Sequence, residues 1–195
     1  MHPLLNRRLF LVKEHVGLFK AANNFDIFDP ENGELILKCR EPDLGGVTRL
    51  LRFTRFKRST PFDILILGVD DEPVLRVSRG VAFLRSTVTV ADADGVVVGL
   101  FRERLFSFGG AFDVQDPSGE TLCQLKGKWT GWDFRFVTDG HEFARVAKKW
   151  AGVGKELLTT ADNYMLEVSE DIPPESHLRE LILGAVMCID MVLKE

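Results

Sequence analysis

The sequence predicts a mainly β protein, with an antiparallel sheet curled into a closed barrel around an apolar C-terminal helix. Three observations predict it. A unit of strand, acidic turn, strand and basic end recurs along the chain. Its strands alternate apolar and polar residues. The last apolar stretch reads as a helix with no polar face.

The hairpins come first. FDIFDPENGELILKCREP starts at Phe25, TVTVADADGVVVGLFRER at Thr87, FDVQDPSGETLCQLKGKW at Phe112 and FRFVTDGHEFARVAKKW at Phe134, and FDILILGVDDEPVLRVSRG at Phe62 is a looser copy. Each turn joins an Asp to a Gly or another acidic residue. Glycine reaches positive φ without a Cβ clash, and Asp or Asn bonds back to the turn backbone. Asp29, Asp94, Asp116 and Asp139 are therefore read as turn residues. Short turns of this kind between apolar runs are the strongest local hairpin signal.

Within the strands, Phe25 and Ile27 alternate with Asp26, and Phe112 and Val114 with Asp113 and Gln115. A period of two marks half-buried strands. Fifteen phenylalanines against one tyrosine imply many interior rings with no polar tip to satisfy. Regular short strands suggest a sandwich or a barrel. The segment TADNYMLEVSEDIPP reads as a last strand, in which Tyr164, Leu166 and Val168 alternate with Met165, Glu167 and Ser169.

A helix over about 175–194 follows Pro173 and Pro174. Leu178, Leu181, Ile182, Ala185, Ile189 and Val192 form one face, and Leu183, Val186, Met187, Met191 and Leu193 cover the others. A helix apolar all round is buried in protein or in a membrane. The run 181–193 has 13 residues and contains Asp190, whereas a bilayer span needs about 20 apolar residues. Burial in the curled sheet satisfies both signals. Leu181, Ala185 and Ile189 are then core residues, and Asp190 is a carboxylate that must sit near the barrel exit, meet a basic partner or backbone donors, or be protonated. With no linker or composition break, residues 1–195 read as one domain.

Composition narrows the function classes. A net charge of −4 and a pI near 5.6 give no global drive toward nucleic acid or anionic membrane, so such a partner would need a local basic patch. Cys39, Cys123 and Cys188 are dispersed and odd in number, which fits a reducing, cytoplasmic setting. The first residues contain no apolar run of signal-peptide length, and no transmembrane segment is expected.

Catalytic motifs fail inspection. GVGKE at 152–156 falls short of a phosphate loop at Lys149 and at Glu156, there is no GxGxxG or GxSxG, and the four histidines lack zinc spacing. No catalytic residue and no enzyme activity is expected. One stretch stands out: Arg49, Arg52, Arg55, Lys57 and Arg58, interleaved with Leu51, Phe53 and Phe56. It fits a patch for phosphate groups of lipid or nucleic acid. It also fits a solvated edge strand whose charges block edge pairing. Trp129 and Trp132 suit core or rim packing as well as a membrane interface.

Several segments, in order and spacing, resemble the phospholipid scramblase family and its LURP-one-related and tubby-like cousins. They are Arg40-Glu41-Pro42, FKRSTPFDILILGVDDEPVLRVSRG, the central repeat VGLFRERLFSFGGAFDVQDPSGETLCQLKGKW, and VAKKWAGVGKELLTTADNYMLEVSEDIPP with the helix containing Ile189-Asp190. The resemblance implies a twelve-stranded barrel around a central helix, and association with anionic membrane lipid. For eukaryotic members it also implies calcium stimulation. Asp162 and Asp171 match acidic positions of the calcium-associated segment, but Thr160 stands where that segment begins with aspartate, and no palmitate-type cysteine cluster follows Phe53. Two functions follow as expectations. The first is a monomeric, cytoplasmic, peripheral domain binding anionic phospholipid through Arg49, Arg52, Arg55, Lys57 and Arg58. The second is a soluble regulatory module for a protein or, less readily, a nucleic acid. No cofactor other than calcium is implied.

Overall fold

The computed structural model describes residues 2–15, 24–42, 59–82, 85–104, 110–128, 132–148 and 163–193. After a short 3-10 turn at Pro3–Asn6, twelve strands run in order. They are β1 Leu9–Glu14, β2 Phe25–Phe28, β3 Leu35–Arg40, β4 Phe62–Leu67, β5 Pro73–Arg79 and β6 Thr87–Asp92. The second half comprises β7 Val97–Glu103, β8 Ala111–Gln115, β9 Thr121–Lys128, β10 Asp133–Thr138, β11 His141–Ala147 and β12 Asn163–Val168. Helix α1, His177–Cys188, continues into a π turn at Ile189–Leu193.

Every strand pairs antiparallel with its sequence neighbours, and β1 closes the barrel against β12. The closing register sets Phe10 opposite Leu166 and Val12 opposite Tyr164. Alternation decides which side chains face inward. In β4, Phe62, Ile64 and Ile66 are buried and the residues between them are not. β12 departs from that pattern, because Met165 and its cross-strand partners Leu11 and Ala147 are also buried on the outer side of the wall.

The helix fills the barrel, as the apolar pattern implied. Residues from Arg179 to Val192 are all buried, and α1 packs against β5, β6, β7 and β12. Small residues let it approach the wall. A Cβ on Gly99 would sit 2.5 Å from the Gln115 carbonyl oxygen and 2.8 Å from the Leu181 side chain, so only glycine fits between helix and strand there.

The boundaries differ from the sequence expectation. The helix starts at His177, two residues later than expected, because Ser176 is its N-cap and accepts the Leu178 N–H through Oγ at 3.3 Å. Glu175 and the prolines precede it. In the β6–β7 turn, Asp92 rather than Asp94 closes the loop, with Oδ1 accepting from Asp94 N and Val96 N. Asp29 and Asp116 act as expected, accepting from Glu31 N and Glu120 N. Asp139 and Gly140, at φ 50° and 83°, form the tight β10–β11 turn.

Arg179, in the first turn of the helix, ties the N-terminal end of the helix to its surroundings. Its guanidinium donates to the carbonyls of Leu5, Arg7, Ile172 and Pro173 at 2.7–3.3 Å. Ion pairs cover the outer wall, among them Arg145 and Arg135 on Asp133, Arg76 on Asp63, and Arg40 with His15 on Asp26.

Candidate functional site

Strand direction sorts the connections into two sets. At one end lie six turns, 29–34, 68–72, 93–96, 116–120, 139–140 and 169–176. In that order they carry three, three, one, two, one and three carboxylates, thirteen in all, and no lysine or arginine. Arg7 and Arg8 reach this end and pair with Asp29 and Glu170. The strand ends at the other end are joined by the connections 15–24, 41–61, 80–86, 104–110, 129–132 and 148–162, much of which lies outside the described residues. These carry eleven lysines and arginines against four carboxylates. The helix runs from the acidic end to the cationic one. Its dipole, positive at the N-terminus and negative at the C-terminus, therefore has the complementary sense to both.

The described residues at the cationic end form two clusters around the end of the helix. In one, buried Arg79 donates to Ser86 Oγ at 3.1 Å and to the Thr60 carbonyl at 2.5 Å, with its guanidinium 5.0 Å from the Phe62 ring. Glu103 Oε2 accepts from Ser86 N at 3.0 Å. Cys188 lies beside them. Burial raises its thiol pKa well above the usual value, with Arg79 opposing and Glu103 adding to the shift.

In the second cluster Trp132 stacks on Tyr164, with ring centroids 4.6 Å apart, and Lys148 Nζ lies 4.4 Å from the Trp132 centroid. The Tyr164 hydroxyl donates to Asp190 Oδ1 at 2.8 Å. Asp190 thus has a partner inside the barrel, within the π turn that ends the helix. Beyond the clusters, Val81, Arg85 and Arg104 are exposed, with Val81 at 61%.

The structure places the sequence candidates unevenly. Leu181, Ala185, Ile189 and Asp190 come together in the core. Arg49, Arg52, Arg55, Lys57 and Arg58 lie outside the described residues, in the connection that leaves β3 at Arg40 and enters β4 at Phe62. Asp162 and Trp129 also lie outside them. Asp171 sits at the acidic end, where its Oδ2 accepts from Ser169 Oγ at 2.9 Å and stands 3.4 Å from His141 Nε2. Among the described residues no three His, Cys, Asp or Glu side chains gather as a metal site, and no helix is long and apolar enough to cross a membrane.

Sequence reasoning missed the Trp132–Tyr164–Lys148 group and the buried Arg79 and Arg179. The one tyrosine among fifteen phenylalanines was the available signal for the first, since a buried hydroxyl demands a partner.

A closed twelve-stranded antiparallel barrel holding one C-terminal helix, the tubby-like architecture, defines the class of fold. The chain belongs to the scramblase family, whose model matches residues 6–195. Among solved structures it is similar to an Arabidopsis thaliana protein known from an X-ray structure. The TM-score is 0.52 at 16% identity, with 95% of this chain and 91% of that chain covered. That likeness shows the fold. Family membership supports a scramblase-like or lipid-related role.

Proposed function

We propose that this protein is a non-enzymatic scramblase-family domain that binds anionic phospholipid peripherally through Arg49, Arg52, Arg55, Lys57 and Arg58. One observation carries the reading. That basic run belongs to the connection between β3 and β4, at the barrel end whose connections hold eleven cationic residues against four carboxylates. Each Lys or Arg near an anionic bilayer surface contributes about 1 kcal/mol. The apolar helix has no part in membrane contact, because it is consumed as the barrel's core.

Vesicle flotation tests this. The protein should float with vesicles containing phosphatidylserine at low salt, and not with phosphatidylcholine alone. Added salt should weaken the association, and changing Arg52, Arg55 and Lys57 together to Glu should abolish it. Absence of flotation at low salt would refute the reading and leave a soluble interaction module as the better account.

A further inference from the structure

The two ends of the barrel differ in charge, and the wall between them does not share the difference. The twelve strands carry ten lysines and arginines against nine carboxylates. On the described wall many of these are paired with each other, such as Asp133 with Arg145 at 2.7 Å and Asp63 with Arg76 at 2.5 Å. The excess charge is therefore axial. The turn end bears thirteen carboxylates, and the far end presents the exposed Arg85, the exposed Arg104, which stands 3.8 Å from Asp113, and an exposed Val81.

We propose that the domain meets an anionic lipid surface end-on, with the helix axis along the bilayer normal, the Val81 end inward and the acidic turns pointing away. This rests on the lipid reading above and adds a pose to it. A strand of six or seven residues rises roughly 3.3 Å per residue. Even when tilted in a barrel, that keeps the acidic turns more than one Debye length, about 8 Å at physiological salt, from the headgroups. Laid on its side, the barrel offers a nearly neutral wall and brings carboxylates within that length, where like charges repel. Inverted, it presents the carboxylates directly. Only the end-on pose joins attraction at the contact with screening of the repulsion. Val81 then supplies an apolar tip at the height of the interface.

The native thiols are all buried, so an environment-sensitive fluorophore can be placed on Val81→Cys or Ser118→Cys in the full chain. Ser118 lies in the β8–β9 turn of the acidic end. On phosphatidylserine-containing vesicles, the label at 81 should shift to the blue and be quenched by nitroxide-bearing lipid. The label at 118 should do neither. Flotation is followed in the same samples. If the labelled proteins do not float, the lipid reading fails and the pose falls with it. If they float but the label at 118 responds, or the label at 81 stays silent, the pose alone is overturned.

Discussion

Tyr164 donates its hydroxyl to Asp190 across the barrel interior at 2.8 Å, joining the start of the last strand to the π turn that ends the helix. The bond ties the end of the helix to the closing strand. π turns inside helices recur at functional positions, and this one sets a carboxylate where the tyrosine can reach it.

Removing that donor should be costly. Tyr164→Phe keeps the ring stacked on Trp132 but withdraws a hydrogen bond from a buried carboxylate, which costs about 1–3 kcal/mol. Urea unfolding of the wild type and variant should show a lower midpoint with an unchanged slope.

Helix docking is tightest at Gly99. Gly99→Ala should destabilise by about 1–3 kcal/mol through overpacking against Leu181 and the Gln115 carbonyl. The midpoint of thermal unfolding should fall. Gly99→Ala combined with Leu181→Ala should cost less than the sum of the two single losses, because the smaller side chain makes room.

Arg179→Met should cost about 3 kcal/mol. It removes charged donors from four carbonyls that join the N-terminal segment, the connection after β12 and the helix. Arg179→Lys should restore little, because an ammonium lacks the planar fork that spans them.

All three thiols should be inert in the native protein. Burial pushes Cys39 and Cys123 up to about 12, and Cys188 well above its usual value. A disulfide reagent at pH 8 should leave them unmodified in buffer and react with all three in guanidinium, since the thiolate is the nucleophile.

Acid should weaken the outer wall. The hydrogen bond from Arg145, with Arg135 assisting, holds Asp133 below the ordinary aspartate range despite an opposing effect of burial. An unfolded aspartate titrates near about 3.9. The stabilisation from Asp133 is therefore complete above that pH and is lost as pH falls through the lower folded value. Arg145→Met should flatten the decline in stability below about pH 4, measured by denaturant titrations at stepped pH.

Much of this architecture could be read from the chain because local and global signals agree. Phe112 and Val114 alternate with polar neighbours and do face inward. The all-apolar helix had one economical place to go. The failures share a physical cause. Tyr164 and Asp190 are 26 positions apart, so nothing local pairs them. Arg79 and Arg179 look like surface residues until carbonyls and hydroxyls converge on them. The axial separation of charge becomes visible only when the ladder assigns each turn to an end. The basic run 49–58 was evident in sequence, and it lies outside the described residues.

The seam between β1 and β12 has a consequence for the order of assembly. Hairpins from β2 through β11 pair with neighbours already made, so each can form as the chain emerges during synthesis. Closure cannot. It joins residues 9–13 to residues 163–167, and the helix that fills the interior comes later still. Until those last residues are available, the inward phenylalanines line an open, unfilled sheet. Such a sheet has two free edges, which invite pairing with other chains. The hazard in the life of this protein falls in the interval before residues 163–193 arrive, and a nascent chain stalled there is the species most in need of a chaperone.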